Sequence, residues 1–564
     1  MNTSPLHRIL LVCLLLGATT SQAAERVGDF SLLDQIGNSH QVSWYDDHAT
    51  IALLVQANGS EATLQALPGF MELQQQFQES VQFFMINPMG LLNRDAVNAQ
   101  ISAITSDIPV LMDDTQVISE ALGVERSGEV FLFDPKSFRV VFRGPIGNGL
   151  DQAIAAVLND EEIATPQITI ENQAADVRYP IRSASISYEE EIAPILAENC
   201  ATCHRDGGIA PFALDGSAMA QGWSPMIREV LMTKRMPPGQ VDPHVHSFKN
   251  GRTLAIDETR KLIQWIESGS PIDGASDGST DPLAQLNWPE TKWVIGSEPD
   301  LIVKIPAQEV PATGVVDYVR IKVPVVGLAK DRWLRASEFI PGDRTVMHHA
   351  TGTFQGGGLR GGNNVAVLNR YVPGSEPRLE PPNTGGLVTK DAVIDMTLHY
   401  TTSGREAVDE SEFGLWFYPE DVVPEERLSA QMVGVFPGGW EDIPPHAKNF
   451  EMSNSFILPE NANIYSYHPH MHFRGKDLRM FADYPDGTRE ELINIAKYSY
   501  AWQLTYELEE PIFMPKGTKI TSIGHFDNST QNLANPDPTR AIPWGEQSWD
   551  EMFFGEVIWK RAGE

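Results

Sequence analysis

The sequence predicts a multidomain protein in which an α/β domain is followed by a mainly helical domain and then by an all-β region. Three observations support this order. Strand-like and helix-like runs alternate over residues 25–164, helical periodicity dominates residues 186–274, and short apolar runs between Pro and Gly turns fill residues 288–564. Because one hydrophobic core does not serve 564 residues, several domains are expected from length alone.

Residues 1–24 have the pattern of a secretory signal peptide. A basic start precedes an apolar run at residues 9–16, and small residues follow up to the expected cleavage point near Ala23 or Ala24. We therefore expect a periplasmic or secreted protein. Neither this apolar run nor any later one is long enough to cross a bilayer, so no membrane span is expected.

Charge and cysteine content exclude one class of partner and one kind of scaffold. The chain has 75 Asp and Glu against 42 Lys and Arg, a formal net charge of −33. Such a surface repels phosphate backbones, so nucleic acid is not an expected partner. Apart from Cys13 in the signal peptide, the cysteines are Cys200 and Cys203, which leaves no disulfide framework.

The α/β prediction for residues 25–164 rests on buried-strand and amphipathic-helix patterns. Residues 49–56 (ATIALLVQ) have the pattern of a buried strand and residues 63–78 that of an amphipathic helix, and the runs SVQFFMIN, VLMDD and EVFLFD predict further strands. This domain resembles the thioredoxin-like redoxins. Ser60 and its neighbours stand where their redox-active turn needs a cysteine, and a serine cannot form a disulfide. We therefore expect a docking or structural role.

The helical domain contains the motif CATCH at residues 200–204. It fits the C-x-x-C-H signal for c-type haem, in which Cys200 and Cys203 form thioethers and His204 binds iron. A thioredoxin motif and half of a zinc site are the alternatives. The adjacent histidine and the absence of other cysteines in the mature chain argue against both, so one covalently bound haem c is predicted.

A methionine is the expected sixth ligand of this haem. The segment resembles a class I cytochrome c domain, where a methionine in a proline-bounded loop lies downstream of the attachment site. Met236 in KRMPPGQ occupies that position, and Met226 and Met232 are competing candidates that are expected in the core. Methionine opposite histidine raises the reduction potential, which suits electron transfer. His244 and His246 are expected on a surface loop.

Histidines in the β region form groups with the spacing of metal sites. In an extended strand alternate side chains share a face, so the three histidines of HPHMHFRGKD would point the same way. A histidine pair with a distant third gives a three-nitrogen site, and His-x-His with a methionine gives two nitrogens and a sulfur. Thioether ligation favours copper. The histidines concerned are His348, His349, His399, His468, His470 and His472.

In this order the motifs resemble the type II copper, ascorbate-dependent monooxygenases, the family of peptidylglycine α-hydroxylating monooxygenase and dopamine β-monooxygenase. The resemblance implies a double jelly roll, with β domains at residues 288–425 and 426–564 and one copper in each. It implies an electron-storing copper held by His348, His349 and His399. The oxygen-binding, catalytic copper would be held by His470, His472 and Met552 of WDEMFFGEV.

Two details qualify this resemblance. Adjacent strand residues point apart, so a local bulge is expected where His348 and His349 meet one metal. Peptide-amidating members bind a substrate carboxylate through an arginine and an Asn-x-Tyr group, and His468, Phe554 and Glu556 stand at those places. Because the guanidinium fork is missing, a peptide ending in glycine is not the expected substrate.

The sequence therefore predicts a copper-dependent monooxygenase that hydroxylates a small organic molecule with O2, using two copper ions and one haem c. Electrons from an external donor, a small reductant or a redox protein, are expected to pass through the haem to the three-histidine copper and then to the copper at Met552. The alternative is a haem and copper redox protein without oxygenase activity: a peroxidase, a reductase or an electron carrier. A blue-copper carrier would need a cysteine ligand, which the β region lacks.

Overall fold

The computed structural model describes residues 26–89, 94–104, 106–168, 176–182, 184–273, 280–288, 292–355 and 366–562. The predicted signal peptide and most of the linker before the β region lie outside these residues. Within them, no helix is both long and apolar enough to cross a membrane.

The N-terminal unit is a seven-stranded mixed sheet with helices on both faces. Its strands are β1 (Ser31–Asp34), β2 (Ser39–Gln41), β3 (Thr50–Val55), β4 (Val81–Asn87), β5 (Val110–Met112), β6 (Val130–Asp134) and β7 (Arg139–Gly144). Its helices are α1 (Glu61–Phe77), α2 (Arg94–Ala103), α3 (Val117–Leu122) and α4 (Asn148–Leu158), with a short 3-10 helix at Val42–Tyr45.

The sheet order of this unit is β2-β1-β5-β4-β3-β6-β7, with β3, β4 and β5 parallel and the flanking strands antiparallel. This arrangement confirms the predicted α/β layering of the first domain. Side chains of β3 alternate between two cores: Ile51 and Leu53 face the helical unit, whereas Ala52 and Leu54 face α1 and its neighbours.

The second unit is helical and shares a continuous apolar core with the first. A helical run at residues 188–201 consists of a π-helix (Tyr188–Ile192), α5 (Ala193–Leu196) and a second π-helix (Ala197–Ala201), and it precedes α6 (Ser217–Met232) and α7 (Ile256–Glu267). Helix α7 buries Leu262 and Trp265 in the core that also contains Phe30 and Phe133 of the α/β domain. The two units therefore pack as one body.

The β region contains two sets of strands, and each set encloses its own core between two sheets. The first set comprises β8 (Leu301–Lys304), β9 (Gln308–Val310), β10 (Val319–Pro324), β11 (Arg332–Ile340), β12 (Met347–Phe354), β13 (Arg378–Leu379), β14 (Gly386–Val388), β15 (Val393–Tyr400), β16 (Ala407–Asp409) and β17 (Glu412–Phe417). The second comprises β18 (Leu428–Val435), β19 (Phe450–Ile457), β20 (Ala462–Met471), β21 (Gly475–Asp483), β22 (Arg489–Ile495), β23 (Tyr506–Met514), β24 (Lys519–Phe526) and β25 (Phe553–Arg561).

Each set forms a sandwich of mainly antiparallel sheets. In the first sandwich the order β10-β15-β12 faces the order β13-β11-β17-β8. In the second, β18-β25-β20-β23 faces β19-β24-β21-β22. The α/β domain contacts the second sandwich through Gln531 Nε2, which donates to Trp44 O at 2.7 Å, and Arg479 Nη1, which donates to Ile36 O at 2.9 Å.

Candidate metal centres

A three-histidine cluster lies on two adjacent antiparallel strands of the first sandwich. His348 and His349 are on β12, and His399 on β15 pairs directly with His349. The pairing register shifts between Met347 and His349, which is the bulge that the sequence predicts. With one residue bulged, neighbouring side chains no longer point to opposite faces, and both rings turn toward His399.

The spacing of the three imidazoles is that of ligands around one metal ion. The Nδ1 atom of His349 lies 3.1 Å from Nδ1 of His348 and 3.4 Å from Nδ1 of His399. One potential ligand atom from each ring lies within 4.8 Å of the others. Two nitrogens bound to one metal at about 2.0–2.1 Å are held about 2.8–3.6 Å apart at angles from about 90° to 120°. The donor set therefore fits a metal.

The environment keeps these rings neutral. Burial lowers the pKa of His348 to about 4 and, with nearby histidine charge, that of His399 to about 3. The pKa of His349 is held well below its usual value by burial and by its histidine neighbours. The ring of Tyr318 packs edge-on against His399, with 4.6 Å between ring centroids. Neutral imidazole is the form that binds a metal.

His470 and His472 form a second pair at the end of β20 in the second sandwich. Their ring centroids are 5.1 Å apart and the ring planes cross at 85°. Strand β20 pairs with β25 so that His470 lies opposite Phe554 and Met471 opposite Phe553. One step further in this register, Met552 comes opposite His472. The pairing thus brings Met552 to the same end of the sheet as the two histidines.

Hydrogen bonds orient both rings of this pair. His470 Nδ1 donates to Gln503 Oε1 at 2.6 Å, and His472 Nδ1 donates to Asp550 O at 3.2 Å. Each bond leaves Nε2 of the ring as the available ligand atom. Burial lowers the pKa of His472 to about 4 and that of His470 well below its usual value. The ligand positions of both histidines are therefore fixed before any metal binds.

Glu551, which lies just before β25, is hydrogen-bonded to the backbone just after β20. Its carboxyl group is buried, with Oε2 accepting the backbone N–H of His472 at 2.8 Å and Oε1 accepting that of Arg474 at 2.6 Å. Burial raises the pKa of Glu551 to about 8, although these hydrogen bonds act in the opposite direction. Glu551 thus fixes the backbone of His472 next to Met552. Only its position in the Asp-Glu-Met motif signals this role in the sequence.

Tyr500 lies between the two histidine clusters. Its ring stacks on His348 with a centroid distance of 4.5 Å and an interplanar angle of 15°, and meets His472 edge-on at 5.9 Å. Its hydroxyl oxygen is 3.4 Å from Nδ1 of His399 and hydrogen-bonds to Ser548. One side chain therefore touches both clusters. The sequence gives no spacing signal for this residue.

The positions that depart from the amidating enzymes form a buried polar group beside His470. Arg370 of the first sandwich donates through Nη1 to Glu556 Oε2 at 2.6 Å, and Glu556 is 2% exposed. The ring of Phe554 stacks on His470 at 4.7 Å. His468, which is not expected to bind a metal, is buried, and its ring stacks on that of His470 with 6.3 Å between centroids. The guanidinium of Arg370 is therefore already paired with a carboxylate of the protein itself.

The CATCH residues lie where the helical run at 188–201 ends. His204 Nδ1 donates to Phe212 O at 3.2 Å, which leaves Nε2 as the ligand atom for iron. The thiols of Cys200 and Cys203 are not joined, and burial raises the pKa of Cys200 to about 12. The ring of Phe212 packs between His204 and Trp223. The donor set fits a covalently attached haem.

Met236 lies in the loop after α6, where its backbone N–H donates to Val230 O at 3.2 Å. Among the competing methionines, Met232 is buried as expected. Met226 is 47% exposed and is therefore not a core residue, because it lies on the outer face of α6.

His244 and His246 lie on a surface loop, as the sequence predicts, and each pairs with a carboxylate of another unit. His244 Nε2 is 2.9 Å from a carboxylate oxygen of Asp114, and His246 Nε2 is 3.1 Å from one of Glu490. The loop that carries them packs between the α/β domain and the second sandwich, which local sequence patterns do not reveal.

Ser60 has a structural role in the α/β domain. It is the N-cap of α1, and its Oγ accepts the backbone N–H of Thr63 at 3.3 Å. The same oxygen lies 2.8 Å from Oγ of Ser127. Residues 25–164 contain no cysteine, so thiol chemistry is excluded in this domain.

Comparisons with known proteins gave matches among solved structures that cover about a quarter of the chain. No protein-family model and no curated protein matches the chain. Among solved structures, a thiol-disulfide oxidoreductase from Bacteroides fragilis is 15% identical over 24% of this chain and 98% of its own, with a TM-score of 0.21. The peroxidoxin BcpB from Mycobacterium tuberculosis is 18% identical over 24% and 93%, with a TM-score of 0.20. An exposed lipoprotein thioredoxin from Streptococcus pneumoniae is 18% identical over 23% and 99%, with a TM-score of 0.21.

Proposed function

We propose that this chain is an exported copper-dependent monooxygenase that hydroxylates a small organic substrate and receives electrons through a covalently attached haem c. The observation that carries the proposal is the mutual approach of His348, His349 and His399 within 4.8 Å, next to a second oriented pair, His470 and His472. Two histidine sites without a cysteine ligand are typical of paired type II copper centres and not of a blue-copper carrier.

We assign residues to each group from the motifs and from the contacts described above. The three-histidine cluster would hold one copper, and His470, His472 and Met552 the other, in two jelly-roll-like domains. Cys200, Cys203 and His204 would hold the haem, with Met236 as its sixth ligand. When bound, the copper ions supply one-electron chemistry and activation of O2, and the haem supplies single electrons.

The protein's own groups prepare these sites. Burial keeps the five imidazoles of the two clusters neutral, and also that of His468, so no proton has to leave before a metal binds. Gln503 and Asp550 present Nε2 of the second pair, and Glu551 holds the backbone beneath it. Preorganisation of this kind lowers the free energy that metal binding must spend on ordering ligands.

The side chains beside His470 support a proposal for the class of substrate. Phe554 stacks there and offers an apolar ring face. The guanidinium of Arg370 is held by Glu556, so it does not offer a free fork to a carboxylate. We propose a small, largely apolar organic molecule rather than a peptide ending in a carboxylate, and a docking role for the thioredoxin-like domain.

The test is copper content and oxygen uptake of the purified full-length protein with haem attached, given an artificial electron donor. Native protein should bind two copper ions and consume O2. Met552→Ala should retain the copper at the three-histidine cluster and lose O2 uptake. Equal uptake by both proteins, or copper binding at neither cluster, would overturn the proposal. Redox activity with two bound copper ions but no uptake would favour the carrier alternative.

A further inference from the structure

The chain after α6 leaves the helical unit and becomes part of the second sandwich. Residues 247–250 lie along the free edge of β23, where Phe248 forms a β-bridge with Leu508. The backbone N–H of Lys249 donates to Glu507 O at 2.8 Å. Because β23 is the neighbour of β20, this segment lies one strand away from the strand that carries His470. The predicted haem unit is thus docked on the second sandwich by backbone hydrogen bonds.

The loop of Met236 makes a direct contact at this interface. Tyr506 Oη donates to Gly239 O at 2.9 Å, and Tyr506 is buried. Gly239 has a φ of +71°, and a Cβ atom added there would lie 2.7 Å from Cδ1 of Leu504. A residue with a side chain would be strained at this φ and would collide with Leu504. The glycine therefore permits close contact between the loop and the sandwich.

The same stretch of the sandwich, residues 500–506, also contacts both histidine clusters, and we call it the junction segment. Gln503 bonds to Nδ1 of His470 through its oxygen at 2.6 Å and to Tyr500 O through its nitrogen at 3.0 Å. Tyr500 in turn stacks on His348. From the Met236 loop, Leu504 and Gln503 lead to His470, and within the junction segment one further step, to Tyr500, leads to the three-histidine cluster.

We infer that the junction segment carries electrons from the haem-binding unit to the His470 and His472 site first, and to the three-histidine cluster through Tyr500. This inference rests on the proposed function. Each transfer would move one electron and would make or break no bond: iron held at His204 would go from ferrous to ferric, copper held by the histidines would go from cupric to cuprous, and the external donor would reduce the iron again before a second electron passes. The order differs from the one that the family resemblance implies, in which the three-histidine copper is reduced first.

The experiment uses the full-length protein with haem attached and copper added, without O2. A light flash with a photoexcited flavin donor reduces the haem, and its reoxidation is followed by absorbance while loss of the cupric signal is followed by freeze-quench EPR. His349→Ala removes the three-histidine site, and His472→Ala removes the second site. We expect the fast phase of haem reoxidation to persist in His349→Ala and to be lost in His472→Ala.

The opposite pattern, with loss in His349→Ala and persistence in His472→Ala, would overturn this inference and leave the proposed function intact. Absence of reoxidation in the native protein with both sites loaded would overturn both. The two failures are therefore distinguishable.

A second set of variants tests the contact itself without touching a metal ligand. The double variant Leu504→Ala, Tyr506→Phe weakens the contact with Gly239. The matched control is Thr518→Val, which removes a hydroxyl that donates to Pro515 O elsewhere in the same sandwich. We expect loss of the fast phase in the double variant, with haem spectrum and copper content as in the native protein, and no change in the control. An unchanged fast phase in the double variant would overturn the inference.

Discussion

The ring of Tyr500 lies parallel to that of His348, with 4.5 Å between centroids and 15° between planes. The two residues belong to different sandwiches, so this stack joins the three-histidine cluster to the sandwich that carries the second pair. The ring of Tyr500 also packs against His472 with the two ring planes nearly perpendicular. One aromatic ring therefore contacts a histidine of each cluster.

Replacing Tyr500 should affect copper binding at both clusters. In Tyr500→Ala the support for His348 and the hydroxyl near His399 are lost, and we expect copper affinity of the three-histidine cluster to fall about 10–100-fold. Tyr500→Phe keeps the stack and should lose less. Competitive titration with a chelator measures both affinities. Equal affinities in the native and Tyr500→Ala proteins would contradict the prediction.

Copper stoichiometry should report the two clusters separately. We expect two copper ions in the native protein and one in each of the variants His349→Ala and His472→Ala, because each variant removes a ligand from one cluster only. His525→Ala is the matched control, since His525 Nδ1 lies 2.7 Å from Asp477 Oδ1 and belongs to neither cluster. Metal analysis after dialysis gives the counts. Two copper ions in both ligand variants would refute the assignment of these ligands.

Copper-free protein should lose stability in mild acid because its clustered histidines are held neutral. The pKa of His399 is about 3 in the folded chain against 6.5 as the ordinary value, so the unfolded chain binds the extra proton as the pH falls below 6.5. The stabilisation is complete above pH 6.5 and declines toward pH 3, by about 1.4 kcal/mol per pH unit for each such histidine.

The measurement for this prediction is urea unfolding of copper-free native protein and His399→Gln between pH 7 and pH 5. The difference in their free energies of unfolding should shrink as the pH falls, because only the native protein carries the imidazole at that position. A difference that stays constant across this range would show that His399 is not held neutral by the fold.

Glu551→Gln should weaken the His472 site and the fold together. The buried carboxyl group accepts two backbone N–H groups, and an amide can accept only on its oxygen. One N–H group is then left unsatisfied, which costs about 1–3 kcal/mol. Urea unfolding should show this loss, and EPR should show an altered cupric signal for the second site alone. Altered signals at both sites would indicate a general loss of structure.

Removing only one partner of the Arg370 and Glu556 ion pair should lower the free energy of unfolding strongly. Arg370→Ala leaves a buried carboxylate without its partner, and we expect a loss of about 3–5 kcal/mol in the free energy of unfolding. The double variant Arg370→Met, Glu556→Gln removes both charges and should recover most of it. A double-mutant cycle by urea unfolding measures the interaction. Additive losses would mean that the two residues act independently.

The features that could be predicted from the sequence are those that depend on local patterns. The alternation of His470 with His472, the CATCH motif and the α/β layering each depend on residues that are close in the chain, and a strand's two-residue period or a helical turn fixes their arrangement. The bulge at His348 follows from the same reasoning, because two adjacent strand residues cannot otherwise face one point.

The sequence by itself determined which candidate ligands are present, their local spacing and the absence of cysteine from the first domain. Only the tertiary structure brought His349 within 3.4 Å of His399, which is 50 positions away, and placed Tyr506 against Gly239, 267 positions away. It also placed Tyr500, Gln503 and Glu551 around the clusters. Such contacts depend on strand register and on how whole units dock. Strand register and docking are each decided by the sum of many weak packing interactions and not by any short motif.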